Sequence, residues 1–152
     1  MTQLSKSNRV DESIDSLGDG KAYSAITADV QISVWPEFVD SKSSIIGDLY
    51  IWSYHVRIEN RKSEPVKLIS RYWRIIDEKG GVQEVNGEGV VGEQPIIAAN
   101  SIYQYSSGVH LRHPSGIMMG KYQMKKVEGG EVFDVQIPTF SLDVPNLISV
   151  IN

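Results

Sequence analysis

Tyr50-Ile51-Trp52-Ser53-Tyr54-His55-Val56-Arg57-Ile58-Glu59 decides the fold class. Tyr50, Trp52, Tyr54, Val56 and Ile58 take one side of a two-residue repeat; Ile51, Ser53, His55, Arg57 and Glu59 take the other. Successive side chains of a strand point to opposite faces, so this spacing makes a strand with one buried face. A helix would scatter the same apolar set around its axis. Upstream, Ile26, Ala28, Val30, Ile32 and Val34 alternate with Thr27, Asp29, Gln31, Ser33 and Trp35, which reads as one more strand.

Downstream the phase slips. Val66 and Leu68 are at even positions, Trp73 and Ile75 at odd ones, and a β-bulge near Ser70–Tyr72 keeps all four on one face. Asp77-Glu78-Lys79-Gly80-Gly81 supplies a turn in which both glycines can take positive φ, followed by a short strand at Val82–Val85 and a glycine-rich segment, Gly87–Gly92. Tyr103 and Tyr105 alternate with Ile102 and Gln104; Met118, Gly120, Tyr122 and Met124 share a face; Gly129-Gly130 turns the chain; Phe133, Val135 and Ile137 alternate until Pro138, which marks a strand end or a sheet edge. Seven or eight short strands without an amphipathic helix predict an all-β, antiparallel β-sandwich, with a closed barrel as the alternative.

The 152 residues suffice for one domain, and 41% apolar side chains can fill its core. The expected organisation is a mobile polar tail over residues 1–21, the domain over 22–145 and a C-terminal tail over 146–152. Fifteen Lys and Arg against nineteen Asp and Glu give a formal charge of −4, which argues against nucleic-acid polymers and anionic membranes as partners. The absence of cysteine excludes disulfides, thiolate metal sites and cysteine nucleophiles. No apolar run reaches the length of a membrane span or a signal-peptide core, so the cytoplasm is the expected location.

An ordered set of motifs carries a resemblance. Tyr54-His55-Val56-Arg57-Ile58-Glu59-Asn60, Arg71-Tyr72-Trp73-Arg74-Ile75 and Val85-Asn86-Gly87-Glu88-Gly89-Val90-Val91-Gly92-Glu93-Gln94-Pro95 are similar to the ApaG family. So are Tyr103-Gln104-Tyr105-Ser106-Ser107, Gly116-Ile117-Met118-Met119-Gly120-Lys121-Tyr122-Gln123-Met124 and Phe133-Asp134-Val135-Gln136-Ile137-Pro138-Thr139-Phe140. The resemblance spans about residues 24–143 and departs from the family pattern at Ala99-Asn100, where a Pro-Gly turn is common. It implies an immunoglobulin-like, fibronectin type III-like sandwich in a bacterial cytoplasmic protein. It also implies a link by name to cobalt resistance and magnesium efflux, and by genetic neighbourhood to diadenosine tetraphosphate hydrolysis. Relatives in eukaryotic F-box proteins imply protein interaction, and binding of pyrophosphate or nucleotides through the glycine motif has been suggested for the family.

Several candidate sites follow from the residues. Gly87-Glu88-Gly89-Val90-Val91-Gly92 satisfies G-x-G-x-x-G, but no helical pattern follows it, so a dinucleotide fold is not expected. An anion site on Gly87, Gly89 and Gly92 needs basic help from Arg71 or Arg112, because Glu84, Glu88 and Glu93 surround the motif and no Lys or Arg lies between Gly80 and Leu111. Any polyphosphate binding there is therefore expected to need a divalent cation. Arg71 and Trp73, two apart on one strand, make either a core indole with its edge covered or an interaction surface. His110 and His113 are half of a metal site, and His55 sits on a polar face. Met118, Met119 and Met124 read as core rather than as a soft binding surface. Ser106, Ser107 and Ser115 lack the G-x-S-x-G elbow, and no catalytic residue, metal ligand or cofactor is assigned. The function expected is a non-enzymatic binding module for another protein, with homodimerisation through the same surfaces an open choice. The alternative is cation-dependent binding of polyphosphate, tied to cobalt or magnesium homeostasis.

Overall fold

The structure is a computed structural model that describes residues 22–145; the two expected tails, 1–21 and 146–152, lie outside the described residues. Among the described residues nine strands follow one another: β1 Tyr23–Thr27, β2 Val30–Phe38, β3 Tyr50–Asn60, β4 Val66–Asp77, β5 Val82–Glu88, β6 Ile96–Ile97, β7 Ser101–Leu111, β8 Gly116–Lys126 and β9 Val132–Ser141. One antiparallel sheet has the order β1-β2-β3-β7, the other β5-β4-β8-β9, with the two-residue β6 beside β5 on the same edge of β4. The sandwich is thus the architecture expected. No helix among the described residues is long and apolar enough to cross a membrane.

β3 alternates as its sequence requires: Tyr50, Trp52, Tyr54, Val56 and Ile58 are buried and the residues between them half-buried. The upstream run, expected as one strand, is a hairpin. Ala28 (φ 49°) and Asp29 (φ 60°) form a two-residue turn between the paired Thr27 and Val30. Both turn residues are left-handed, the geometry whose twist suits tight hairpins. Neither is glycine or asparagine, which is why the alternation read straight through. The turn reverses the parity of β1, so Ile26 faces solvent at 57% exposure while Val30, Ile32 and Val34 are in the core.

Two irregularities shape the second sheet. The β4–β8 register slips between Leu68 and Ser70, so the bulged residue is Ile69, next to the expected segment. In the β8–β9 pairing Met118 faces Phe140 but Gly120 faces Ile137, which leaves Pro138 and Thr139 against Met119 alone. β9 is an edge strand, where a residue without an N–H costs no ladder bond. In the Asp77–Gly81 turn only Gly80 takes positive φ (85°).

The two inner faces meet on aromatic rings. The Trp73 indole lies 5.3 Å from Tyr54, 6.1 Å from Phe140 and 6.5 Å from Tyr122, each time edge-to-face, which suits ring quadrupoles. Met118 and Met124 belong to the same core, whereas Met119 faces outward and is half-buried. Asn60, fully buried, ties the loops at the base of the sandwich: its Nδ2 donates to the carbonyls of Glu64 (2.9 Å), Ile97 (3.1 Å) and Ala98 (3.2 Å), and its Oδ1 accepts from the Lys62 N–H at 3.0 Å. The side of the sandwich between β1 and β9 is closed by Tyr23 against Phe140 and by the Gln136 N–H on Thr27 Oγ1. The opposite side lies between β7 and the β4–β5 edge.

Trp73, which the sequence allows as a core indole or as half of an interaction surface, is 1% exposed and takes the core place. Trp73→Ala is expected to destabilise the domain by about 3–5 kcal/mol in urea denaturation, the usual cost of an emptied aromatic core position. A loss below about 1 kcal/mol would contradict this placement.

Candidate functional site

The bulge at Ile69 sets the site. Before it Val66 and Leu68 point inward; after it the inward positions are Arg71, Trp73 and Ile75. An arginine therefore occupies a core-facing place, next to Trp73 along the strand and opposite Tyr122 on β8. Opposite Arg71 on β5 stands Gly87, and a Cβ there would lie 2.7 Å from Arg71 Nη1. The missing side chain lets the guanidinium lie across β5 and reach the chain beyond it. Nη1 donates to the carbonyl of Gly89 at 2.9 Å and to that of Glu88 at 3.1 Å.

That chain is a small hairpin rather than a helix start. Val90 and Glu93 exchange backbone hydrogen bonds of 2.8 and 2.9 Å around Val91 (φ 42°) and Gly92 (φ 81°). Gly89 (φ 60°) donates its N–H to the bulge carbonyl of Ile69 at 2.8 Å, and a Cβ on it would sit 2.0 Å from the Glu93 carbonyl oxygen. Gln94 Nε2 donates to the same Ile69 carbonyl at 2.9 Å, and Val90 is buried in the core. The three glycines of G-x-G-x-x-G thus serve an arginine's passage, a close backbone approach and a tight turn. None sits at a helix N-terminus, which the pyrophosphate-binding use of the motif requires.

A cavity of about 330 Å³ opens between the hairpin and β7. Val90, Val91 and Gly92 form one wall, Tyr105 and Ser107 the other, with Tyr54 and Arg71 at its floor; Arg71 is the one charged residue among the described lining. Besides Arg71, the polar lining side chains are the hydroxyls of Tyr54, Tyr105 and Ser107, and further tyrosines pack behind them. Tyr54 is hydrogen-bonded to Ser107, Tyr105 to Tyr122, and the Tyr103 hydroxyl donates to Glu93 Oε2 at 3.3 Å. Burial pushes the phenols of Tyr54, Tyr103, Tyr105 and Tyr122 up, while the Arg71 charge pulls those of Tyr54, Tyr105 and Tyr122 partly back. A second concavity of about 450 Å³ lies on the other side of Arg71, bounded by Gly87, Tyr72, Glu88, Lys121 and Asp134. Its Lys121 is already paired with Asp134 at 3.3 Å.

Of the residues expected to build an anion site, the structure brings together Arg71, Gly87, Gly89 and Gly92. It does not bring Arg112, which is exposed beyond the end of β7, five residues and so about 16 Å along the strand from Ser107. Arg74 is exposed on the outer face opposite Glu84. Of the two alternatives for Arg71 and Trp73, the core indole is the one realised; the interaction surface is not assembled on the outside, because both point inward. His110 is exposed and His113 stands 4.0 Å from Asp77 Oδ2; among the described residues no group of three His, Cys, Asp or Glu is placed to hold a metal.

Sequence reasoning missed one arrangement on the outer face of the first sheet. His55 Nδ1 is 2.7 Å from Ser106 Oγ and its Nε2 is 2.8 Å from Gln104 Oε1, with Trp35 at 6.0 Å between ring centroids. Register aligns His55 with Ser106, but only pairing of β3 with β7 reveals it. The set resembles a nucleophile–base–orienter chain without its electrostatics. Gln104 is a neutral amide, so the set lacks the buried carboxylate that stabilises the imidazolium of a triad.

The buried tyrosines fix a pH dependence. Tyr105 and Tyr122 stay neutral in the folded state well above 10, the value of an unfolded tyrosine. Their stabilising contribution is complete below pH 10 and is lost as pH rises toward the folded values, because only the unfolded chain gains by ionising. Each such phenol removes about 1.4 kcal/mol of stability per pH unit in that window. Tyr105→Phe should flatten the decline by about that amount per pH unit in urea titrations above pH 10; an unchanged slope would contradict it.

Comparisons with known proteins agree with the fold. A family model described as the ApaG domain matches residues 40–126. Protein ApaG of Agrobacterium fabrum is 49% identical over 130 residues, covering 86% of this chain and 99% of that protein. Protein ApaG of Brucella suis biovar 1 is 48% identical over the same shares. The crystal structure of the putative ApaA protein from Bordetella pertussis is similar with a TM-score of 0.74 at 42% identity, covering 77% of this chain and 94% of that chain. The matched span holds the bulged strand, the glycine hairpin and the tyrosine-bearing β7 and β8, and the chain belongs to the ApaG family.

Proposed function

We propose that this ApaG-family protein is a non-catalytic binding module that captures a carboxylate of a protein partner on Arg71. The observation that carries this reading is a single inward-facing guanidinium, held by two loop carbonyls, at the floor of an open cavity whose other polar lining side chains are the hydroxyls of Tyr54, Tyr105 and Ser107. Arginine's planar fork suits a carboxylate, and hydroxyls can complete its shell. Charge supports a singly charged ligand. One arginine balances one carboxylate, whereas each further phosphate charge ~6 Å from a glutamate such as Glu88 is opposed by roughly 3 kcal/mol at an effective dielectric of ~20. Polyphosphate is the weaker reading and needs a divalent cation carried in with it. The cytoplasm is the proposed location, consistent with a chain without cysteine.

Side-chain NMR of the full chain tests this reading. Propionate should shift the Arg71 Nε–H resonance, and pyrophosphate without magnesium should bind no more tightly than propionate. Arg71→Met should abolish the response and Arg74→Met should leave it. Submicromolar binding of pyrophosphate without magnesium, or a propionate response confined to Arg74 or Arg112, would contradict the proposal; the wild-type spectra decide this even if Arg71→Met loosens the hairpin.

A further inference from the structure

The outer edge of β7 borders the cavity that holds Arg71. The strand pairs with β3 along its whole length, from Ser101 opposite Asn60 to Leu111 opposite Tyr50, and no described strand pairs with its other edge. The hairpin meets β7 at Tyr103, through the Glu93 carboxylate, and the strand continues well beyond that contact. The other three sheet margins are each occupied differently: β1 and β9 lean on one another, and β5 with β6 leads into the hairpin. An unpaired strand edge presents a row of backbone donors and acceptors, a template for an added strand. Ser106-Ser107-Gly108 keeps the side chains of that stretch small.

We infer that the Tyr105–Leu111 edge of β7 receives an extended peptide of a partner protein as an added strand, and that one acidic side chain of this peptide enters the cavity to pair with Arg71. This rests on the carboxylate reading above and supplies its partner class. A strand laid ~4.8 Å outside β7 points alternate side chains inward, over the space between Tyr105, Ser107 and the hairpin. Main-chain bonds to β7 then give affinity, and the lone positive charge selects Asp or Glu at one inward position. Charge complementarity favours this occupant over a second copy of the chain, because β7 itself carries no Asp or Glu between Ser101 and Leu111 to offer Arg71.

A random eight-residue peptide library selected against the full chain tests the inference. The expected result is enrichment of Asp or Glu at one fixed position, slowed hydrogen exchange at β7 amides on addition of the selected peptide, and about tenfold or greater loss of affinity when that residue becomes its amide. N-methylation of alternate peptide nitrogens should abolish binding in one of its two phases. Acidic selection without β7 protection would overturn the added-strand inference and leave the Arg71 reading standing. β7 protection without acidic preference would overturn the Arg71 reading. No enriched peptide, or β7 protection that rises with protein concentration alone, would overturn the inference, the latter in favour of self-association.

Discussion

The hydrogen bonds from Arg71 to the carbonyls of Glu88 and Gly89 organise everything around the candidate site. They exist because one extra residue, Ile69, turns the second half of β4 over, so that an arginine takes an inward place between aliphatic and aromatic neighbours. A guanidinium cannot rest among apolar groups without acceptors. The hairpin supplies two, and Gly87 leaves the room to reach them. The same bulge carbonyl anchors the hairpin from the other side, through Gly89 and Gln94. Bulge, arginine, glycines and hairpin form one cooperative unit.

That unit is only partly saturated by the protein. Nη1 has its two carbonyls, while the remainder of the guanidinium borders open concavities on both sides. The surrounding tyrosines are held neutral, so they offer hydroxyls rather than a counter-charge. A positive group fixed in place before a ligand arrives loses little entropy on binding, which is how preorganised sites gain affinity. In the proposed reading an arginine held by two carbonyls, the neighbouring hydroxyls and an adjacent strand edge together serve recognition. The contact between His55 and Ser106 lies on the other face of the first sheet and lacks a charged orienter.

Much of the fold was legible in the sequence because alternation survives wherever one face is buried. The β3 pattern and the phase slip in β4 are both visible in the residue order. The hairpin at Ala28–Asp29 was not, since Ala28 has no left-handed preference, no glycine or asparagine marks the turn, and the apolar alternation continues through it. At the site, the phase slip already contained the orientation of Arg71: it shares parity with Trp73 and Ile75. What sequence could not give was the long-range pairing that sets Gly87 opposite Arg71, carries Arg112 away, and brings His55 to Ser106. Spacing along the chain records faces, while the choice of neighbouring strands depends on the whole sandwich.

The central claim is that Arg71 is held inward and oriented before any ligand binds. Rotation about its Cζ–Nε bond, measured by nitrogen-15 exchange NMR in the ligand-free full chain, tests it most directly. Slow rotation with resolved Nη signals for Arg71, against fast averaging for the exposed Arg74 and Arg112, is the predicted result. Averaging at Arg71 as fast as at those two would contradict the account, because the hairpin carbonyls would then not be holding it.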